Sequence, residues 1–160
     1  MADRLRDVSD QVQVRLEMMA AALEQARLAR DAGEVPVGAV VEMNGQIVGR
    51  GYNQPIGASD PTAHAEIVAM RDAARRSGNY RLTGASLYVT VEPCLMCVGA
   101  IIHARIGTLV FGAAEPKSGA VVSTVRGGDL PGHNHRFEVV PGLREIECRE
   151  LMQEFFKLRR

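Results

Sequence analysis

Four side chains with metal-binding or proton-transfer chemistry lie in two short segments of the sequence. One residue separates His64 from Glu66 in PTAHAEIVAM, and two residues separate Cys94 from Cys97 in EPCLMC. Taken alone, His64 could be an ordinary structural histidine, and the helix dipole favours a carboxylate such as Glu66 in a first helical turn. Two thiolates and one imidazole, however, are ligands that zinc prefers. Together they predict a zinc site formed by His64, Cys94 and Cys97.

The number of ligands indicates what such a site could do. Three protein ligands leave one tetrahedral position open for water, as in catalytic zinc sites, whereas structural sites usually have four. The third cysteine, Cys148, falls on the apolar face of a predicted helix and is expected to be a core residue. Glu66 would lie beside the open position, where it can exchange protons with an activated water.

Two other interpretations of the cysteine pair remain open. A C-x-x-C segment can be redox-active, but this one lacks the Cys-Gly-Pro-Cys context and would leave His64 and Glu66 unexplained. The cysteines could also be buried structural residues. The upstream H-x-E segment and the proline before Cys94 favour the zinc site over both.

The composition limits the classes of protein that could carry this site. With 160 residues, of which 46% are hydrophobic and 24% charged, the sequence predicts one globular domain. Nineteen basic residues balance 19 acidic ones, so contact with a nucleic acid would need a local basic patch. Apolar runs are far shorter than a membrane span, and the polar N-terminal segment does not resemble a signal peptide. A reduced, cytoplasmic protein without membrane association is expected.

The N-terminal half is predicted to contain a helix, a hairpin and a second helix. The first dozen residues are expected to be loose, and the helix after them ends at a C-cap on Gly33. Its apolar residues recur at helical spacing: Leu16, Met19, Leu23 and Ala26. Asn44-Gly45 predicts a tight turn with positive φ between two strands. Asp60-Pro61-Thr62 is expected to start the helix with the histidine and the glutamate.

The C-terminal half is predicted to alternate strands with two more helices. Strands are predicted at 85–91 and 108–112, with a short strand at 137–140. Residues 94–104 are apolar nearly all round, so they should form a buried helix with both thiols on one side. A Gly- and Pro-rich loop follows to about residue 135, and the last helix starts near Leu143. Strands that alternate with helices predict an α/β sandwich.

The combination of H-x-E with P-C-x-x-C is the signature of the zinc-dependent deaminases. Within that superfamily the sequence resembles the bacterial tRNA-specific adenosine deaminases from about residue 15 to the C-terminus. The resemblance is carried by EVPVGAV, NQPIGASDPTAHAE, NYRL, LYVTVEPCLMC, VFGA, NH and FFKLRR. It implies a single deaminase domain over residues 1–160, a cytidine-deaminase-like three-layer α/β/α sandwich around a mixed five-stranded sheet.

The resemblance also implies an activity, a cofactor and partners. The protein would bind one Zn²⁺ per subunit and convert adenosine to inosine at the wobble position of a tRNA anticodon stem-loop. In bacteria that substrate is typically the arginine tRNA with an ACG anticodon. A homodimer is implied, and the helix predicted at 94–104 and the loops after it are expected at its interface.

Further site residues follow from the resemblance alone. Asn53 matches the residue that hydrogen-bonds the flipped base, and Val37 and the backbone of Ala65 match walls of the base pocket. Two loop pairs match segments near the RNA: Glu115 with Lys117, and Asn134 with His135. Aromatic and basic residues near the end of the chain match a helix that contacts the RNA: Phe155, Phe156, Lys157, Arg159 and Arg160.

Ordinary roles remain open for three of these residues, and two positions depart from the family pattern. Asn53 could be a turn residue, His135 a surface histidine and Phe155 a core residue. Glu115 stands where many relatives have an aspartate that is expected to accept a hydrogen bond from a 2′-hydroxyl. Residues 121–123 replace a smaller, glycine-containing run, which predicts a stiffer loop.

Two competing functions remain open. A deaminase acting on free guanine, free cytosine or a nucleotide would use the same zinc site. A non-catalytic RNA-binding module could be stabilised by zinc. The free-base enzyme would gain little from a basic, aromatic terminal helix, and the binding module would not need Glu66. The sequence therefore favours tRNA deamination.

Overall fold

The computed structural model describes the backbone of residues 2–159 and the side chains of residues 7–159. Within these residues, helices and strands follow the order α1 (Ala2–Asp31), β1 (Gly38–Met43), β2 (Gln46–Tyr52), α2 (Ala65–Ser77), β3 (Ser86–Val91), α3 (Leu95–His103), β4 (Thr108–Ala113), β5 (Glu138–Val140) and α4 (Glu145–Lys157). A short 3₁₀ turn, Gly127–Asp129, lies in the long loop before β5. The predicted order of elements is confirmed.

The strands form one mixed sheet in the order β2-β1-β3-β4-β5. Strand β1 is antiparallel to β2 and β3, whereas β3, β4 and β5 are parallel. Asn44 and Gly45 form the turn between β1 and β2 with φ angles of 53° and 78°, as the Asn-Gly pair predicts. The predicted mixed five-stranded sheet is confirmed for the described residues.

Helices cover both faces of this sheet. Helices α1 and α4 pack on one face, around core residues that include Met19, Leu23, Val110 and Leu151. Helices α2 and α3 pack on the other face, around core residues that include Met70, Val89, Ile101 and Phe111. Neighbouring residues of a strand face opposite layers, which is why Val110 and Phe111 belong to different clusters. The result is the predicted three-layer α/β/α sandwich.

Several chain segments meet at one edge of the sheet. Because β1 is antiparallel to β3, the start of β1 lies beside the end of β3, and the end of β2 lies beside the start of β1. The parallel strands β3 and β4 end at the same edge. Four separate segments therefore contribute residues there: Val37, Asn53, Glu92 and Ala114. Open α/β sheets bind ligands outside the carboxyl ends of their parallel strands, so a site is expected at this edge.

Both predicted helix starts in the N-terminal half are wrong. Helix α1 begins at Ala2, about ten residues before the predicted start, because no glycine or proline interrupts residues 2–31. Met1 lies outside the described residues. Helix α2 begins at Ala65, not at Asp60-Pro61-Thr62. The Asp60 carboxylate accepts hydrogen bonds from the Thr62 N–H and hydroxyl at 2.8 and 2.7 Å, which makes a local turn instead of a helix cap.

Helix α3 is buried on one side only, although the sequence predicted burial nearly all round. Val98 and Ile101 face the core, whereas Leu95 and Met96 are 54% and 39% exposed on the outer face. The described part of the chain therefore leaves apolar side chains on the outer face of α3 uncovered. Neither α3 nor any other described helix has both the length and the apolar character needed to cross a membrane.

Candidate metal centre and substrate groove

Helices α2 and α3 start close together and bring three metal-binding side chains into contact. His64 and Cys94 are the N-cap residues of α2 and α3, and Cys97 lies in the first turn of α3. The Nδ1 atom of His64 is 3.5 Å from the Sγ of Cys94 and 3.6 Å from the Sγ of Cys97. All three ligand atoms lie within 4.8 Å of one another, which no other set of acidic, histidine or cysteine side chains achieves among the described residues.

The spacing of these atoms fits a tetrahedral zinc ion. Zinc binds sulfur at about 2.3 Å and nitrogen at about 2.0–2.1 Å, so a tetrahedral ion separates a sulfur ligand from a nitrogen ligand by about 3.6 Å. The two observed distances from His64 agree with that value. Two thiolates and an imidazole also match the ligand preference of zinc, and three ligands leave one position for a small molecule. The cluster can therefore hold this metal.

The three groups shift each other's pKa. Hydrogen bonds from Cys97 and His64 lower the pKa of the Cys94 thiol to about 4. The hydrogen bond with Cys94, together with burial, raises the pKa of Cys97, and the bond with Cys94 raises the pKa of His64. The positive end of the α3 dipole also favours a thiolate at this position. A thiolate is the form in which cysteine binds metals.

Glu66 lies beside the cluster but outside it. It is the second residue of α2 and is 4% exposed. Burial raises its pKa, while hydrogen bonds from its own backbone N–H and from the Cys97 thiol act in the opposite direction. Its carboxylate is not among the three mutually close ligand atoms. This is a suitable place for a group that exchanges protons with a molecule bound at the cluster.

Asn53, Val37 and Ala65, which the resemblance assigns to a base pocket, are connected by hydrogen bonds next to His64. The side-chain oxygen of Asn53 accepts a hydrogen bond from the Ala65 N–H at 2.8 Å. The backbone N–H of Asn53 donates to the Val37 carbonyl at 3.1 Å. Val37 and Ala65 are buried. Because α2 engages the oxygen of the Asn53 amide, the NH₂ end is the end that can donate to a ligand.

A groove along α4 brings together residues that are distant in sequence. One part of it, about 550 Å³, is lined by Glu115, Pro116, Lys117, Phe156 and Arg159. The adjoining part, about 780 Å³, shares three of these residues and reaches the ends of β3 and β4 at Val91 and Ala113. We call the two parts the α4 groove. Two acidic side chains line it, Glu115 and Glu145. Its four basic side chains are those of Lys117, Arg149, Lys157 and Arg159.

The end of α4 is partly structural. Phe155 is buried, which supports its interpretation as a core residue, and the Arg159 guanidinium lies 4.1 Å from the centre of its ring. Arg159 also donates to the Gly33 carbonyl at 3.0 Å. Phe156, in contrast, is exposed in the groove. Arg160 lies outside the described residues.

Glu115 uses one carboxylate oxygen within its own loop. Its Oε1 accepts a hydrogen bond from the Lys117 N–H at 2.9 Å, which stabilises the turn that carries both residues. The longer side chain at this position therefore shapes the groove wall as well as facing the groove.

Asn134 and His135 lie away from the metal cluster of the same chain. Arg105 donates to the side-chain oxygen of Asn134 at 3.0 Å, and the His135 Nε2 is 2.7 Å from the Ile106 carbonyl. Arg105 and Ile106 follow the C-terminal end of α3, whereas the cysteines are at its N-terminal end. Within one chain, this loop pair stabilises the turn between α3 and β4.

Two buried glutamates at this edge were not predicted from the sequence. Glu92 accepts hydrogen bonds from the loop after β4, and Glu34 accepts the N–H groups of Ile56 and Gly57 at 3.2 and 2.8 Å. Burial opposes ionisation of Glu92, but hydrogen bonds led by those of Ser123 outweigh it and hold the pKa below its usual value. The sequence signal is weak: Glu92 precedes the P-C-x-x-C segment, and Glu34 precedes an apolar run.

Known proteins are similar to this chain over most of its length. Residues 14–160 match the family model of the MafB19-like deaminases. The tRNA-specific adenosine deaminase of Haemophilus influenzae is 50% identical over 145 residues, which cover 90% of this chain and 84% of the relative. The tRNA-specific adenosine deaminase of Agrobacterium fabrum is 45% identical over 146 residues, which cover 91% and 96%.

Solved structures share the fold. One of them has a TM-score of 0.83 at 46% identity and covers 84% of this chain and 98% of its own. It comes from biochemical and structural studies of A-to-I editing by tRNA:A34 deaminases at the wobble position of transfer RNA. This confirms the cytidine-deaminase-like fold. A guanine deaminase from Nitrosomonas europaea has a TM-score of 0.74 at 24% identity, covering 88% and 83%, and that likeness concerns the fold alone.

Proposed function

This chain belongs to the family of the tRNA-specific adenosine deaminases, and from that premise we propose that it converts adenosine to inosine at the wobble position of a tRNA anticodon. The observation that carries the proposal is the cluster of His64, Cys94 and Cys97 beside the buried Glu66. The three ligands would hold one zinc ion per subunit, and Glu66 would be the catalytic residue. The proposed substrate is the arginine tRNA with an ACG anticodon, and the proposed location is the cytoplasm.

The chemistry follows from the position of Glu66. Zinc bound by the three ligands would supply a Lewis acid that activates a water molecule. Glu66 takes one proton from the attacking water and gives it to the ring nitrogen beside the amine-bearing carbon, which becomes more electrophilic. A C–O bond forms at that carbon. Glu66 then passes the second proton of the former water to the amine, the C–N bond breaks, and ammonia leaves.

The pocket residues would bind the base and keep it oriented. The amide of Asn53 is held at its oxygen by Ala65, so its NH₂ group is pre-oriented as a donor to the flipped adenine. Val37 would contact the base from the start of β1. A donor whose position is fixed before binding loses little entropy when the ligand arrives.

The α4 groove would bind the RNA around the flipped base. Phe156 offers an exposed ring for stacking, and Lys117 and Arg159 offer charge to the phosphates. This local excess of basic side chains is what a chain of zero net charge needs in order to bind a polyanion. Glu115 contributes its second carboxylate oxygen as an acceptor for a sugar hydroxyl.

We propose a homodimer with α3 at its interface. The outer face of α3 carries the exposed Leu95 and Met96. A Cβ added at Gly99 would meet no atom of the described chain within 4 Å, so a second subunit can approach the helix closely. The pair of Asn134 and His135, which lies at the far end of α3, would then reach RNA bound to the partner. Light scattering at micromolar concentration tests this, and a fully active monomer would contradict it.

One assay distinguishes the proposed function from its competitors. The zinc-loaded protein is incubated with an anticodon stem-loop and, separately, with free adenosine, free cytidine and free guanine, and the products are identified by mass spectrometry. We expect inosine in the stem-loop only at the wobble position. Conversion of free guanine or cytidine without inosine in RNA would favour the free-base enzyme. RNA binding without any product would favour the binding module.

A further inference from the structure

One buried carboxylate holds the loop after β4, residues 114–124, which we call the β4 loop. The Oε2 atom of Glu92 accepts the N–H groups of residues 121–123 at 2.9–3.0 Å. Its Oε1 atom accepts the N–H of Glu115 at 3.2 Å and the hydroxyl of Ser123. A single side chain therefore joins both ends of the loop.

The loop is shaped around this carboxylate. A Cβ added at Gly119 would lie 2.4 Å from the carboxyl carbon of Glu92, so only glycine fits at that point of the loop. Gly119 donates to the Glu115 carbonyl at 2.8 Å, which closes the tip of the loop. Charge-assisted hydrogen bonds to a carboxylate are about twice as strong as neutral ones, so several of them fix a short loop firmly.

The same carboxylate connects the loop to the metal cluster. Glu92 is two residues before the ligand Cys94, and the residue between them, Pro93, accepts the N–H of Ala120 at 2.9 Å. The loop in turn carries Glu115 and Lys117 into the α4 groove. The Glu92 carboxylate and the Pro93 carbonyl together therefore connect the groove wall to the segment that carries Cys94.

We propose that Glu92 is a positioning residue for RNA recognition. It holds the β4 loop in the position where Glu115 and Lys117 can contact the nucleotides on either side of the flipped base. That base would at the same time be bound beside the cluster. This inference rests on the proposed function. Glu92 supplies none of the three mutually close ligand atoms, and both of its carboxylate oxygens accept hydrogen bonds from the loop, so its loss should affect RNA binding more than chemistry.

The test is Glu92→Gln in the full-length, zinc-loaded protein. Glutamine has the same size but replaces one acceptor oxygen with a donor, so part of the loop loses its partner. We expect KM for an anticodon stem-loop to rise about tenfold while kcat stays within about twofold. Amide hydrogen exchange at residues 121–123 should accelerate, and zinc should remain at one per subunit.

A matched control and a milder variant complete the test. Glu34→Gln changes another buried glutamate, which holds Ile56 and Gly57, and should leave exchange at residues 121–123 unaltered. Ser123→Ala removes one donor and keeps the carboxylate, so it should raise KM in the same direction by less. If Glu92→Gln does not fold, Ser123→Ala decides.

Two results would overturn the inference. One is a Glu92→Gln protein whose KM for the stem-loop is unchanged. If Glu92→Gln does not fold, an unchanged KM in Ser123→Ala overturns the inference instead. The other is loss of zinc together with kcat, which would assign Glu92 to the metal site. A wild-type protein that forms no inosine would instead refute the proposed function. The inference would then be judged by hydrogen exchange and by the affinity of the two variants for the stem-loop.

Discussion

Glu66 and Glu92, in two different regions of the molecule, are equally buried but have different hydrogen-bond donors around their carboxylates. Each is 4% exposed and two residues from a proposed zinc ligand. Burial raises the pKa of Glu66, with only partial compensation from its own N–H and the Cys97 thiol. At Glu92 burial acts in the same direction, but the donors of Ser123 and the β4 loop outweigh it and the pKa falls.

The comparison shows that the donors around a buried carboxylate decide what it can do. A carboxylate with few donors can accept and release protons, because neither protonation state is strongly favoured by its partners. A carboxylate that accepts several backbone N–H groups is fixed as an acceptor, and its contribution is structural order. These environments support the proposed roles: proton transfer for Glu66 and positioning of the β4 loop for Glu92. Substitutions in the cluster, at Glu66, at Asn53 and in the α4 groove test this assignment.

The largest effect is expected from Cys97→Ala, since the comparison presupposes an intact metal cluster beside Glu66. The variant should lose its zinc, its activity and much of its stability, because metal binding contributes folding free energy. Cys148→Ala is the matched control: this thiol is buried between α4 and β4, and its loss should leave one zinc per subunit. Zinc stoichiometry and thermal unfolding measure both. Full zinc content in Cys97→Ala would rule out this ligand set.

Glu66→Gln makes the same chemical change as Glu92→Gln at equal burial. Here kcat should fall by roughly 10²–10⁴, because the amide cannot move protons between water and substrate. Zinc content and RNA affinity should remain, since the ligands and the α4 groove are untouched. Inosine yield is measured beside zinc stoichiometry. Loss of zinc would make Glu66 a ligand, and near-normal turnover would place the proton shuttle elsewhere.

Asn53→Asp tests a side chain for which we propose both roles: α2 holds its oxygen, and its NH₂ group is the proposed donor to the base. The aspartate keeps an acceptor for the Ala65 N–H but cannot donate to a base. We expect stability close to that of the wild type and a fall in kcat/KM of about tenfold or more. Asn53→Ala should reduce both the stability and kcat/KM. An aspartate variant with full activity would show that Asn53 is only a turn residue.

The smallest effects are expected in the α4 groove, whose wall Glu92 positions. Lys117→Ala should raise KM a few-fold and reduce the slope of log affinity against log salt by about 1, as for one lost phosphate contact. Phe156→Ala should weaken binding without changing that slope, because stacking releases no counterions. Leu158→Ala, at another exposed position near the end of the chain, is the control for Phe156. Equal effects of the Phe156 and Leu158 variants would argue against stacking.

The fold was largely predictable because its signals are local. Apolar spacing in α1 and the Asn-Gly turn after β1 each depend on a few neighbouring residues, and both predictions are confirmed. The wrong prediction for the start of α2 has a local reason too: the carboxylate of Asp60 forms a turn with Thr62, although the same residue type often caps a helix. The exposure of Leu95 could not be predicted, since apolar residues all round a helix do not show which side the chain itself will cover.

The candidate cluster could be identified from residue types and spacing. His-x-Glu and Cys-x-x-Cys place ligand types at spacings that a helix start converts directly into geometry, so His64, Cys94 and Cys97 could be named without a structure. Tertiary structure alone decided the rest of the site. It placed Asn134 and His135 at the far end of α3, and it brought Arg159 to Gly33 across 126 positions of sequence.

The hydrogen bonds of Glu92 could not be predicted from the sequence either. The donors that fix this carboxylate are mostly backbone N–H groups, from residues 23 to 31 positions away. Every residue except proline carries such a group, so no pattern of residue types marks which ones will meet a buried carboxylate. Metal ligands are side-chain groups, so their residue types can be recognised in a sequence. Backbone donors that hold a loop in place can be identified only once the chain has folded.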